Sequence, residues 1–215
     1  MRTRLPPGRH GLSRDQVAGA QRRRMLEAMI EASAELGYAK VTVADVLKRA
    51  GVSRETFYEQ FANKEDCFLA AYLEAVAALE RKLQAAVAGP PEAATDPLDR
   101  VSRLIDGYLE ALSDPALAWT FLIEINAVGP RVVKQRAEAQ AQAIGELAAI
   151  IGAEGDRQRL ACEMLFTAMV GMATQRVGAG RADELRELGP PLKELARASL
   201  MAVGLGSRRA TAGPA

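Results

Sequence analysis

A short stretch of this 215-residue sequence, just after Gly51, carries side chains suited to reading a nucleic-acid surface. Arg54 can donate two hydrogen bonds to a guanine, and Glu55 can accept one from a cytosine. The side chains of Thr56 and Tyr58 end in hydroxyl groups and have a suitable length to reach phosphate oxygens. These residue types at adjoining positions predict contact with double-stranded DNA rather than the chemical conversion of a substrate.

The residues before this stretch predict a short helix and a turn that position it. Thr42 and Asp45 have the spacing of a capping-box variant, which starts a helix at Val43. Gly51 then permits a tight turn, because glycine adopts positive φ angles without steric cost. Ser53 is placed to cap a second helix.

The second helix has an apolar inner face, formed by Phe57 with Phe61, and a polar outer face. Two short helices joined by a glycine-containing turn are typical of a helix-turn-helix. In that motif the amino-terminal residues of the second helix reach base edges in the major groove.

The charge of the chain is unevenly distributed. Residues 1–64 contain twelve Lys and Arg against seven Asp and Glu, a net charge of +5, whereas residues 65–215 contain sixteen against twenty, a net charge of −4. A basic end on a mildly acidic body favours a polyanionic partner, although arginine-rich segments also serve only to keep proteins soluble. The candidate DNA-binding residues are Arg22, Arg23, Arg24, Thr42, Val43, Ser53, Arg54, Glu55, Thr56, Tyr58 and Lys64.

Other classes of protein fit the composition poorly. The single histidine, His10, argues against a catalytic triad and a multi-histidine metal site, so we expect no enzyme, cofactor or metal. Cys67 and Cys162 are interpreted as small buried hydrophobic residues, with a redox sensor as the alternative. No apolar run reaches the roughly 20 residues of a membrane span, and we expect a cytoplasmic protein.

Apolar residues recur at helical spacing along the chain, and no alternating strand pattern occurs, so the predicted fold is all-α, with about nine or ten helices. Four segments are expected: a flexible basic arm at 1–20, a DNA-binding domain at 21–66, a ligand-binding and dimerisation domain at 67–204, and a disordered tail at 205–215.

The segment from Thr42 to Phe61, followed by Lys64 and Glu65, resembles the DNA-binding domain of the tetracycline-repressor (TetR/AcrR) family. Leu36, Gly37 and Tyr38 also match the end of that family's first helix. The agreement is long and ungapped over roughly residues 21–80. Leu47 replaces a more common alanine, and Arg54 and Glu55 replace frequent small residues, which leaves the operator sequence open.

The resemblance implies a homodimeric transcriptional regulator, most often a repressor, that a small molecule releases from a palindromic operator. The candidate ligand-pocket residues are Tyr72, Tyr108, Trp119, Phe121, Leu122, Glu124, Asn126, Phe166 and Met169. The candidate dimer-interface residues, on the last two long helices, are Leu160, Met164, Ala168, Gly171, Met172, Leu192, Leu195, Ser199 and Leu200.

Two alternatives remain from the sequence. One is an enzyme built on a helical bundle, which the lack of a phosphate loop and of clustered ligands disfavours. The other is a helical adaptor whose helix-turn-helix no longer reads DNA. The sequence leaves the effector, the operator, the regulated genes and the choice between repression and activation open.

Overall fold

The structure, a computed structural model, describes residues 13–88 and 96–205. Within these ranges the chain is helical and has no strand, which confirms the all-α prediction. The α-helices are α1 (Arg14–Leu36), α2 (Val43–Ala50), α3 (Arg54–Gln60), α4 (Lys64–Ala88), α5 (Pro97–Ala111), α6 (Pro115–Leu122), α7 (Pro130–Ile151), α8 (Asp156–Gly178) and α9 (Gly189–Ala202). Two 3₁₀ helices, Glu124–Ala127 and Ala182–Leu188, precede α7 and α9.

The first helix starts earlier than the sequence indicated. Ser13 caps α1 with a complete capping box, in which its side chain accepts from the Gln16 N–H and the Gln16 side chain accepts from the Ser13 N–H. Residues 14–20 are therefore helical, and the expectation of a flexible arm at 1–20 is wrong for them. Gly19, interpreted as part of that arm, is tolerated within the exposed start of the helix. The remainder of the expected arm, residues 1–12, and the expected tail from residue 206 lie outside the described residues.

Two hydrophobic cores organise the molecule. The amino-terminal core packs α1, α2 and α3 around Phe57 and Met29, both fully buried. The carboxy-terminal core joins α5, α8 and α9 around residues such as Ile105 and Leu200. Helix α4 runs from the first core to the second, since Phe68 is buried in the amino-terminal core and Leu83 packs against the other.

The expected domain boundary at residues 66 and 67 does not coincide with this packing. The first turns of α4, from Cys67 to Tyr72, are buried in the amino-terminal core. Ile125 and Val132, which lie far later in the chain, are fully buried in that same core. The corner between α6 and α7 is therefore packed into the amino-terminal core, a long-range contact that no local sequence pattern indicates.

No helix among the described residues is long and apolar enough to cross a membrane.

Candidate nucleic-acid interface

Helix α3 presents a polar outer surface. Ser53 caps it, because its hydroxyl oxygen accepts a hydrogen bond from the Thr56 N–H at 3.1 Å. Phe57 is completely buried beneath the helix, while Arg54, Glu55 and Tyr58 are exposed. The helix therefore offers a guanidinium, a carboxylate and a phenol to a partner outside the protein.

Arg54 and Tyr58 lie one helical turn apart and interact directly. The Arg54 guanidinium carbon stands 5.7 Å from the centre of the Tyr58 ring. This contact restricts the long Arg54 side chain while leaving its planar N–H groups free for the bidentate geometry that guanine requires.

Helix α2 and its turn hold α3 in place. The Thr42 hydroxyl donates to the Asp45 carboxylate at 2.6 Å, and the Thr42 N–H donates to the same oxygen at 2.9 Å. These two hydrogen bonds lower the pKa of Asp45. Gly51 ends α2 with a left-handed φ of 64°, as the turn predicted. Thr42 thus serves primarily as a helix cap, and Val43 is half-buried against the amino-terminal core.

The three arginines of α1 have different environments. Arg22 is half-buried, with its guanidinium carbon 4.7 Å from the centre of the Phe61 ring, just beyond the end of α3. Arg23 and Arg24 are exposed, and Arg24 lies beside the turn at Gly51. This side of the helix-turn-helix therefore carries positive charge that can meet phosphates.

Lys64 has a different role from the phosphate contact predicted for it. Its ammonium donates to the carbonyl oxygens of Tyr38 at 3.0 Å, Ala39 at 3.3 Å and Val41 at 2.9 Å. It also lies 4.5 Å from the centre of the Tyr38 ring. A lysine has three N–H donors, and here all three bind the loop between α1 and α2. Lys64 is consequently a clamp on that loop, which the spacing of the motif could not indicate.

The seven apolar candidate pocket residues divide between the two hydrophobic cores. Tyr72 and Phe121 pack together at 5.4 Å between ring centres, against the amino-terminal core. The carboxy-terminal core receives the other apolar members of the set, which are Tyr108, Trp119, Leu122, Phe166 and Met169. Apolar residues at helical spacing mark the ordinary core as readily as a binding wall.

The two polar pocket candidates are satisfied within the protein. Glu124 accepts hydrogen bonds from the Tyr38 N–H at 2.7 Å and from the Trp119 indole N–H at 3.1 Å. Asn126 is exposed, and its carbonyl oxygen accepts from Arg136 at 2.6 Å. Both side chains hold the corner between α6 and α7 through these hydrogen bonds, and their role in a ligand pocket stays a prediction.

A groove with a volume of about 260 Å³ lies instead between α4 and α7. Its floor contains Val76, Ala77 and Ala139, and its polar rim includes Glu80 and Gln142. None of the candidate pocket residues lines it. The groove crosses two helices distant in sequence, whereas each apolar stripe of the sequence belongs to a single helix.

The candidate dimer residues divide into two groups. Leu160, Met164 and Leu195 are exposed on α8 and α9, with 54%, 64% and 46% of their surfaces accessible. Gly171 is also exposed, while Ala168, Met172 and Ser199 are half-buried. Leu192 and Leu200, in contrast, are completely buried in the core of their own subunit, so they are not available to a partner. Each helix stripe has an inner and an outer edge, which periodicity alone does not separate.

Both cysteines are buried, in agreement with their interpretation as small hydrophobic residues. Burial raises the pKa of the Cys67 thiol to about 12, and burial also raises the pKa of Cys162. Raised pKa values disfavour the reactive thiolate.

These features define a class of protein in which a helix-turn-helix with an exposed second helix is joined to a larger helical domain. Residues 26–71 match the family model described as bacterial regulatory proteins of the tetR family. A comparison of the sequence with curated proteins finds no match.

Solved structures share the architecture across most of the chain. The fatty acid degradation regulator FadR from Bacillus halodurans is 22% identical, covers 88% of this chain and 96% of its own, and superposes with a TM-score of 0.73. FadR from Bacillus subtilis, solved in complex with stearoyl-CoA, is 22% identical, with coverages of 81% and 96% and a TM-score of 0.71. PfmR from Thermus thermophilus is 20% identical, with coverages of 81% and 94% and a TM-score of 0.63.

The resemblance seen in the sequence is thereby confirmed: residues 26–71 match the tetR family model, and the chain shares the fold of solved transcriptional regulators.

Proposed function

We propose that the chain is a homodimeric repressor that binds a palindromic operator through α3 and is released by a small molecule bound in its carboxy-terminal domain. The observation that carries the proposal is the exposed outer face of α3, where Arg54, Glu55 and Tyr58 point away from the core. Phe57, on the apolar side of this seven-residue helix, anchors it in the core, so the exposed polar side is not needed for folding. Base edges of the major groove are its natural complement.

A second copy of the chain supplies the second recognition helix in this proposal. Leu160 and Met164 on α8 and Leu195 on α9 are exposed apolar side chains on two helices that pack together, and pairing of two subunits would cover them. Two helices from each subunit would then pack as a four-helix interface. A twofold dimer reads a palindrome when its recognition helices lie roughly 34 Å apart, one helical turn of DNA.

The effector releases the DNA by binding more tightly to the protein when the spacing of its two recognition helices does not fit the operator. The groove between α4 and α7, at about 260 Å³, is smaller than typical ligand sites, which are roughly 300–1,000 Å³. A larger effector that enters there must move α4 away from α7. Because α4 continues directly from the helix-turn-helix, this movement would change the spacing of the two α3 helices.

The test is the selection of duplexes from a random DNA pool by the purified protein, at about 150 mM salt, where non-specific binding is weakened. We expect a palindrome with half-sites about one helical turn apart. Affinity for it should fall on the order of a thousandfold between roughly 50 and 200 mM salt. A folded protein that enriches no sequence and binds DNA weakly and independently of salt would support the adaptor instead.

The selected operator then tests repression and release. A reporter whose promoter contains the operator should lose output when the protein is expressed, whereas a gain would indicate an activator. Long-chain acyl-CoA esters belong in the first effector screen, because the similarly folded Bacillus subtilis FadR was solved with stearoyl-CoA. A compound that dissociates the operator complex at fixed salt would identify the effector class.

A further inference from the structure

The loop between α1 and α2 is held through both backbone groups of Tyr38, its carbonyl oxygen and its N–H. The Tyr38 carbonyl oxygen accepts from Lys64, at the start of α4. The Tyr38 N–H donates to Glu124, which lies in the first 3₁₀ helix, 86 residues further along the chain. Gly37, just before Tyr38, has a φ of 77°, and the Glu124 carboxylate lies next to it, 3.8 Å from the position of a Cβ. A side chain at this position would be strained by the positive φ of the backbone.

The other carboxylate oxygen of Glu124 binds a side chain of α6. It accepts from the indole N–H of Trp119 on α6 at 3.1 Å. Trp119 packs against the carboxy-terminal core, close in sequence to Leu122, which is buried there. One carboxylate therefore links the backbone of the DNA-binding domain to a side chain embedded in the other core.

Three further contacts lie around Glu124, and together with it they form what we call the joint between the two cores. The Thr120 hydroxyl donates to the Ile30 carbonyl oxygen of α1 at 3.2 Å. Arg131, at the start of α7, pairs with Asp66 at the start of α4. Ile125, next to Glu124, is completely buried in the amino-terminal core. A shift of α6 must therefore be transmitted to the loop that leads into the helix-turn-helix.

From this arrangement we infer that Glu124 is a positioning residue for DNA binding, which couples the state of α6 to the orientation of the helix-turn-helix through Trp119 on one side and Tyr38 on the other. The inference rests on the proposed function and adds the residue through which the two domains communicate. In this role Glu124 needs no contact with DNA or with the effector. It acts by fixing the loop that Lys64 clamps from the opposite side.

A carboxylate is chemically necessary for this role. Both of its oxygens accept hydrogen bonds, and both face N–H donors here. Glutamine has the same shape but only one accepting oxygen, so its amide group would oppose the N–H of either Tyr38 or Trp119. Glu124→Gln therefore breaks one of the two links with little change in volume.

The experiment compares the full-length wild type with Glu124→Gln, Trp119→Phe and the matched control Glu110→Gln. Glu110 is 70% exposed and pairs with Arg186 on the carboxy-terminal domain, away from the joint. Operator binding is measured over a range of salt, and the hydrogen exchange of the Tyr38 amide is measured without DNA. Trp119 is the single tryptophan of the chain, so its fluorescence emission reports the joint directly.

We expect Glu124→Gln to bind the selected operator about tenfold more weakly, a typical strength of coupling between sites, with an unchanged salt slope because no phosphate contact is lost. The Tyr38 amide should exchange faster in this variant, and Glu110→Gln should match the wild type in every respect. Operator binding should shift the Trp119 emission of the wild type, because coupling is reciprocal, and the shift should be lost in Glu124→Gln. Trp119→Phe retains the bond to Tyr38, and its operator affinity should fall while the Tyr38 amide stays protected.

The inference is overturned if the wild type binds its operator without a change in Trp119 emission, or if Glu124→Gln binds that operator as tightly as the wild type. Should Glu124→Gln unfold, the binding of Trp119→Phe decides, since wild-type affinity in that variant would also overturn the coupling. A wild type that selects no duplex refutes the proposed function itself, and the coupling falls with it. That outcome is distinguishable because it appears before any variant is compared.

Discussion

Removal of the Lys64 ammonium should destabilise the fold rather than simply weaken DNA binding. Lys64→Met retains most of the apolar stem and deletes three hydrogen bonds of 2.9–3.3 Å to the carbonyl oxygens of the α1–α2 loop. Hydrogen bonds to charged groups contribute about 1.5–3 kcal/mol each, and carbonyl groups that water can reach lose less. The bond to Ala39 is exposed, whereas those to Tyr38 and Val41 are partly buried. We therefore expect the free energy of unfolding to fall by about 2–4 kcal/mol.

Urea unfolding at equal protein concentrations measures this loss, since the proposed dimerisation would make apparent stability depend on concentration. Lys40→Met is the matched control, because Lys40 lies in the same loop and its side chain is exposed. We expect the control to remain within about 0.5 kcal/mol of the wild type. If Lys64→Met is equally stable and instead reduces the salt slope of DNA binding by about one, Lys64 is a phosphate contact and the clamp is wrong.

Three further outcomes are expected. Arg54→Ala should relax the base preference of the selected operator, whereas Arg23→Ala should weaken all sequences alike; equal selectivity in Arg54→Ala and the wild type would exclude a base contact. Met164→Glu should give monomers in sedimentation because it places like charges in the proposed interface, while Met201→Glu, at a similarly exposed methionine outside the candidate set, should stay dimeric. Burial raises the pKa values of Cys67 and Tyr38 to about 12, so above about pH 9 the unfolded chain releases protons that the folded chain retains. Stability should therefore decrease from about pH 9 toward 12 in urea titrations, and a flat profile would contradict the burial of both groups.

The local parts of the fold were predictable because local chemistry determines them. Thr42 and Ser53 cap the helices that the sequence assigned to them, and Gly51 takes the left-handed conformation that the turn requires. The start of α1 differs from the prediction: the capping box at Ser13 can be read from the sequence, and Gly19 within the first turns does not prevent the helix. One exposed glycine lowers the stability of a helix by only about 1 kcal/mol.

The long-range parts of the site were not predictable from spacing. The sequence predicts Glu124 as a ligand-pocket residue, but its partner Tyr38 is 86 residues away. The three carbonyl partners of Lys64 lie in a loop that is 23 to 26 residues earlier in the chain. Every residue has a backbone carbonyl oxygen, so the residue types do not reveal which of them Lys64 binds. For both residues the sequence identified a charged group and left open whether protein or ligand would satisfy it.

The position of α3 depends on its neighbours more than on itself. A helix of seven residues is far below the roughly 12–15 residues at which isolated helices become marginally stable. Its anchors are Phe57, buried in the amino-terminal core, and the turns that join it to α2 and α4. Helix α2 is reached through the loop that Glu124 and Lys64 hold, and α4 begins at Lys64 itself. A small displacement at this loop therefore moves both supports of the recognition helix together, which is the condition for one small molecule to change DNA affinity without touching DNA.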